Sequence, residues 1–390
     1  MKRILLALIL LIPMMGAAQS EEPKLEFGGY IKFLQITQFF DDAGTSFPGS
    51  PITNNFFHNR LNLAWYPNEN WTVVAQTRNR LFYGEQVKLT PGFGRSIDFQ
   101  TGLADMSIRW IDKGGIVLHS IFDRAYVNYA TEKLDVRLGR QRINWGLNLI
   151  WNPNDLFNAL NFLDFDYEER PGTDALRVQY YTGILSKAEI AFAPDDTLEN
   201  STGAILYKFN AGGYDIQTIA GYFQGDLALG GGWEGNLGGA GFKGEGTAFI
   251  PLEPSEDSTA SYVASFTLDY LLGNGIYASG AILYNSNGTS GGLGNQNGLF
   301  TGQPSAKNLF PSEWAYAINA SGNINPLFIA SGAIIYAPTN QLTIIAPTLA
   351  YSVKENWDID LTAQALFWAP GGAVFGPGGS AVFLRLRWSY

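Results

Sequence analysis

The chain of 390 residues contains no cysteine and only two histidines, His58 and His119. Without cysteine there is neither a disulfide framework nor a thiolate metal site. Two histidines far apart in sequence, neither set in a recognisable catalytic word, define no metal centre and no general base, so no metal, no cofactor and no enzymatic activity are expected. Also missing, beyond residue 18, is any run of about 18 or more consecutive apolar residues, which excludes a membrane helix although 46% of the sequence is hydrophobic. A basic excess is absent too: 25 Lys and Arg stand against 35 Asp and Glu, which argues against nucleic acid as a partner. The Gly-rich runs 230–232 and 238–241 lack the Lys-Ser/Thr of a phosphate loop and read as turns and close packing.

Lys2 and Arg3, the apolar run 4–12 and the small residues Gly16, Ala17 and Ala18 predict a secretory signal peptide over residues 1–18. Residues 19–390 then form one domain, with no linker and no room for a folded N-terminal plug. Aromatics make up 14% of residues and glycines number 45, a composition for sheet with many tight turns. An exported chain that is apolar overall, yet has no membrane helix, has to cross a bilayer with strands.

The last residues carry the pattern most clearly. Val382, Leu384, Leu386, Trp388 and Tyr390 alternate with Phe383, Arg385, Arg387 and Ser389, so one face is apolar and the other charged. An ending of this kind, with Leu384, Leu386, Trp388 and Tyr390 at every second position, resembles the assembly signal of outer-membrane barrels. The same period of two returns at Trp71, Val73, Ala75 and Thr77, at Ala125, Val127 and Tyr129, and at Leu176, Val178 and Tyr180. Short connections at 67–70, 131–133, 212–213, 272–275, 325–326 and 354–356 alternate with long stretches at 41–55, 84–115, 144–173, 285–311 and 369–380. Outer-membrane barrels pair short periplasmic turns with long extracellular loops, and an even strand count keeps both ends on one side. The expected fold is therefore all-β, a transmembrane antiparallel up-and-down β-barrel of about 18 strands in the cell outer membrane. Dropping a hairpin in the region 223–250 would give 16. The aromatics Trp65, Tyr66, Trp71, Tyr129, Trp314, Tyr351, Trp357, Trp368 and Trp388 suit interfacial girdles, with a sugar-stacking slide inside the pore as the alternative.

From Arg124 to Tyr180 the words become specific: Arg124-Ala125-Tyr126-Val127, Leu138-Gly139-Arg140-Gln141-Arg142, Asn144-Trp145-Gly146, Asn152-Pro153-Asn154-Asp155 and Glu169-Arg170-Pro171-Gly172-Thr173-Asp174-Ala175-Leu176. This segment resembles a large family of Gram-negative outer-membrane porin-like barrels of mostly unassigned substrate, and more distantly the barrels of alginate-export type. The resemblance implies a single-chain pore with a folded loop after the Gly-Arg-Gln strand, and no particular substrate. Where that family commonly has an acidic residue before the Ala-Tyr pair, this chain has Arg124.

Of 14 arginines, 11 fall between Arg60 and Arg177, and the next are Arg385 and Arg387. Closure of a barrel makes the first and last strands neighbours, so these arginines share one wall. By alternation Arg60, Arg78, Arg80, Arg124, Arg177, Arg385 and Arg387 line the pore, since an arginine facing lipid would cost ~2 to 4 kcal/mol near the midplane. Arg140 and Arg142 fall on the face expected to be outward, as if the strand had left the membrane there or a bulge had shifted its register. Asp164, Asp166, Glu168 and Glu169 form an acidic stretch that, folded inward, would face the arginines as a constriction loop. The bland alternative is that the arginines only pair with acids such as Asp123, Asp135 and Glu189.

These readings point to passive diffusion of small polar or acidic solutes. A closed structural or adhesive barrel and a barrel hydrolase are the alternatives. Expected partners are outer-membrane lipid and lipopolysaccharide, the barrel assembly machinery and small solutes; the oligomeric state is not written in these residues.

Overall fold

The computed structural model describes residues 24–39, 51–98, 102–159, 172–253, 259–273, 275–288, 305–368 and 376–390. The expected signal peptide and the acidic stretch Asp164, Asp166, Glu168 and Glu169 lie outside them.

In chain order the strands are β1 (Leu25–Phe39), β2 (Ile52–Asn68), β3 (Trp71–Gly84), β4 (Ser107–Lys113), β5 (Ile116–Ala130), β6 (Leu134–Gln141), β7 (Thr173–Gly183), β8 (Ser186–Ala193), β9 (Thr202–Ala211) and β10 (Tyr214–Phe223). They continue as β11 (Asp226–Leu237), β12 (Ala240–Pro251), β13 (Ser261–Leu271), β14 (Tyr277–Asn285), β15 (Trp314–Asn325), β16 (Phe328–Ala337), β17 (Leu342–Lys354), β18 (Trp357–Trp368) and β19 (Gly376–Ser389). All pairings are antiparallel and, apart from β3 with β5, between chain neighbours, and β19 returns to β1 with Phe33 opposite Leu386 and Thr37 opposite Val382. β4 pairs with the upper half of β5 only, while β5 also bonds directly to β3, so the closed ring has 18 strands and β4 hangs outside it. The region that left 16 open is a regular hairpin, with Asp226 opposite Pro251 and Leu237 opposite Ala240.

Alternation separates two solvents as expected. Leu384, Leu386, Trp388 and Tyr390 point outward and exposed, whereas Phe383 is buried. Leu176 and Tyr180 are likewise exposed, Gln179 buried. Trp71 stacks near Tyr129 and Trp357 near Trp388, outward pairs that fit interfacial girdles. Trp368 departs from that assignment. It packs against the interior apolar cluster, because it continues the inward face of Asp360, Thr362, Gln364 and Leu366.

The short turns gather at one end, where Leu25 pairs with Trp65 and Tyr390 exchanges backbone hydrogen bonds with Gly29. The long connections gather at the other end. One of them, residues 142–159, folds into the barrel and is largely buried there, with Asn144 and Leu149 left exposed, so the ring encloses protein on one side.

Candidate functional site

The interior has two unlike halves. On one side, Trp145, Ile150, Trp151 and Leu156 of the inward segment join Phe223, Phe249, Leu283, Leu309 and Phe310 in one apolar cluster. Lys307 forms an ion pair with Asp226 at the top of β11, and Phe310 meets Trp151 edge-on, so residues 305–310 also belong to this filling.

A single carboxylate anchors the inward segment. Glu245 of β12, 2% exposed, accepts hydrogen bonds from the backbone N–H groups of Asn148 (2.8 Å), Leu147 (3.1 Å) and Asn154 (3.1 Å). A segment without regular structure has orphan N–H groups, and the two oxygens of one carboxyl group can accept several of them in a dry interior. Further bonds run from Trp145 Nε1 to Glu189 (2.8 Å), from Gln217 Nε2 to the Trp145 carbonyl (2.7 Å) and from Asn154 Nδ2 to the Gly231 carbonyl (3.0 Å). Room for Asn154 comes from two glycines of β11: a Cβ at Gly230 would lie 2.9 Å from Asn154 Oδ1, and one at Gly232 3.1 Å from Asn154 Nδ2. The Gly-rich run 230–232 is therefore a site of close packing. Glu245 was not anticipated; an acid flanked by two glycines on the inward face of β12 was the available signal.

The opposite wall, from β18 through β1 to β7, carries the charges. In register across four neighbouring strands run Arg387, Lys32, His58 and Arg80, with Tyr30, Arg60 and Arg78 in the next inward row. Lys32 and His58 are buried, and Tyr30 lies under the Arg387 guanidinium at 4.6 Å and tilted against the His58 ring. Arg60 donates to Asn62 (3.0 Å), Gln76 (2.7 Å) and Asp123 (2.7 Å), and Arg78 reaches the other oxygen of Asp123 at 2.9 Å. Arg80 lies over Phe82 and Arg385 pairs with Asp360 at 2.7 Å. Arg177 lies 3.6 Å from Asp135 and 3.7 Å from Glu189, beside Arg137, which stacks on Tyr126 at 4.4 Å. The sequence reading missed Lys32 and Arg137, although the alternation that placed their neighbours also places them inward.

Asp123 reaches this wall through a β-bulge. Gln76 faces Arg124 and Thr77 faces Phe122, so Asp123 is the extra residue on β5, and both Asp123 and Arg124 become buried. The Arg124 Nη1 donates to the carbonyl of Asp123 at 2.7 Å.

Arg140 does not leave the strand, since pairing continues through it on both sides without a shift. Its side chain, 1% exposed, forms a double hydrogen bond to Asp174 (2.8 and 3.0 Å) and donates to the Ala104 carbonyl at 2.6 Å. Residues 102–104 thus cover an arginine that alternation alone would leave outside. Gly139 before it has φ +119°, and a Cβ there would sit 2.3 Å from the Ala125 carbonyl. Arg142 lies just past the strand, at the start of the inward segment. Gly172 closes against Asp123, Arg124 and Arg140, so three of the words that carry the family resemblance converge on one knot where the inward segment begins and ends.

Above the wall, Asp98 ties the connection after β3 to β4 and β5: its carboxylate meets Ser107 Oγ, Arg109 Nε at 2.8 Å and His119 Nε2 at 3.0 Å. Burial pushes this carboxyl up, but the bonds from Ser107, His119 and Arg109 outweigh it and hold Asp98 below the usual carboxylate range. The tether is therefore intact above the unfolded carboxylate pKa and weakens as pH falls through the lowered folded one.

No family model and no curated protein matches this chain. Among solved structures it is similar to Pseudomonas aeruginosa OccK9 (OpdG), with a TM-score of 0.60 and 10% identity over 94% of this chain and 98% of that one. Acinetobacter baumannii OccAB3 gives 0.59 and 10% over 94% and 99%, and P. aeruginosa OpdK solved with vanillate gives 0.55 and 7% over 94% and 98%. At such identities the likeness is one of architecture: the chain has the closed 18-stranded fold of Gram-negative outer-membrane channels.

Proposed function

We propose that this chain is a passive channel of the outer membrane, for small polar or acidic solutes that pass along the basic wall, faced by the acidic stretch Asp164, Asp166, Glu168 and Glu169. The observation that carries this reading is the in-register row Arg387, Lys32, His58 and Arg80 on adjacent strands. Three cationic side chains of that row, Arg387, Lys32 and Arg80, gathered on one side of the lumen raise the local anion concentration, whatever the net charge of the molecule. Vanillate, the carboxylate held by OpdK, is a solute of the matching sign. Arg78 and Arg80 changed together to Gln are expected to move the reversal potential in a salt gradient toward cations. Neutralising the four acids of the stretch is expected to move it the other way. If the arginine change leaves selectivity untouched in a folded barrel, those side chains are wall struts.

A second reading has an observation of its own. Residues 143–156 and 305–310 contribute to one apolar cluster inside the ring, and a closed structural barrel needs such a filling. Planar-bilayer recording separates the two, because folded protein without conductance steps above leak transfers the assignment to the closed barrel.

A further inference from the structure

We propose that Asp123 is the residue that sets how strongly the pore prefers anions, by cancelling part of the arginine wall; this rests on the channel reading above. The wall is not a plain ladder of positive charge. The β5 bulge inserts one carboxylate into it, 1% exposed, whose two oxygens are divided between Arg60 and Arg78. Asp123 continues the inward alternation of Val117, His119 and Ile121, and regular pairing would put it opposite Gln76; the extra residue gives that place to Arg124 instead, so two consecutive residues are buried side by side.

The two arginines are not held alike. Arg60, 1% exposed, has Asn62 and Gln76 as further acceptors and is fixed against the wall. Arg78 is 13% exposed, so it keeps contact with the lumen while Asp123 draws its guanidinium toward β5. Asp123 is thus a positioning residue: it lowers the net charge of the row Tyr30, Arg60, Arg78 by one and pulls Arg78 back from the solute path. The row above, with Arg387, Lys32, His58 and Arg80, keeps its sign. A channel that retained every positive charge would bind anionic solutes longer than it could release them, and conduction needs exit as well as entry.

The test is the reversal potential of single channels in a potassium chloride gradient. One unit charge about 8 Å from the ion path in a water-like medium changes the occupancy of each ion roughly two-fold in opposite directions, so Asp123→Asn is expected to raise the chloride-to-potassium permeability ratio about four-fold. Asp123→Glu keeps the charge and is expected to stay at the wild-type ratio, which a merely structural role would not require. Should Asp123→Asn fail to assemble because Arg60 is left buried with one partner fewer, Arg60→Gln is compared with Arg60→Gln/Asp123→Asn, and the same anionward displacement is expected between those two. A ratio unmoved by loss of Asp123 in either background, while Arg78→Gln/Arg80→Gln does move it, overturns the role of Asp123 alone. If both leave it unmoved, the anion wall falls together with Asp123.

Discussion

Replacing Glu245 by alanine is expected to raise single-channel conductance about two-fold or more while the barrel stays closed, because this carboxylate is what holds the inward segment against β11–β13. Its loss strands three backbone N–H groups, those of Leu147, Asn148 and Asn154, in a dry interior. Each buried donor left without an acceptor costs about 1–3 kcal/mol, so the packed arrangement loses roughly 3–9 kcal/mol against a state in which those N–H groups reach water. Further polar attachments, among them those of Trp145, Asn148, Gln217, Asn154 and Thr247, are individually of the size of ordinary hydrogen bonds, about 1 kcal/mol net each. Burial of Trp145, Ile150, Trp151 and Leu156 keeps the segment seated at those anchors, so the loss shows as a loosened segment between them. The 18-strand ladder does not depend on Glu245, so gel mobility before and after heating is expected to be that of the wild type. Gly232→Val attacks the same contact from the other side, by putting a side chain where even a Cβ would lie 3.0 Å from Glu245 Cβ and 3.1 Å from Asn154 Nδ2. Both variants are expected to show larger steps and new protease cleavage within residues 142–159. Wild-type conductance in both would mean that the solute path does not run beside this segment.

The contrast between Glu245 and the strands around it shows what a sequence of this kind can reveal. The faces of β3, β7 and β19 are legible from Trp71, Leu176 and Leu384 because lipid and lumen impose opposite requirements on consecutive residues, and pairing is regular enough for a period of two to persist. The hairpin β11–β12 was harder to place because its glycines have no side chains to alternate. Their use became visible only with Asn154 in place, a residue some 77 positions from Gly231. Asp123 shows a different limit. A bulge breaks the period at one residue, so alternation assigned Arg124 inward and could not also assign its neighbour. Asp123 was nevertheless named as a pairing acid, and Asp135 and Glu189 with it; each lies within reach of an arginine of the wall. β4 escaped notice because its seven residues alternate poorly and lie in a long connection, where an exposed strand outside the ring needs no apolar face.

Arg140 makes the last and most demanding case. Alternation put it on the lipid side, where an unpaired guanidinium is costly, and its pairing with Asp174 under the cover of residues 102–104 removes that cost. Breaking one side of a buried ion pair costs about 3–5 kcal/mol, because the surviving charge is left without its counter-ion. Asp174→Ala is therefore expected to destabilise the barrel by that amount in urea titrations of protein folded into lipid vesicles. It is also expected to add gating noise to the open channel, since Gly172 beside the pair is the point where the connection 142–172 rejoins the wall. Arg140→Met/Asp174→Ala removes both charges and keeps an apolar stem of similar length in the covered site. The double variant is expected to lie closer to the wild type than Asp174→Ala does, since no buried charge remains to be satisfied. The cycle discriminates cleanly: a coupling energy near zero between the two positions would mean that Ala104 and Phe122, whose carbonyls also receive Arg140, hold the guanidinium by themselves. A large coupling would make the pair Arg140–Asp174 the clasp from which the inward segment is launched, directly after Gly139, whose φ of +119° and approach to the Ala125 carbonyl leave no place for a side chain.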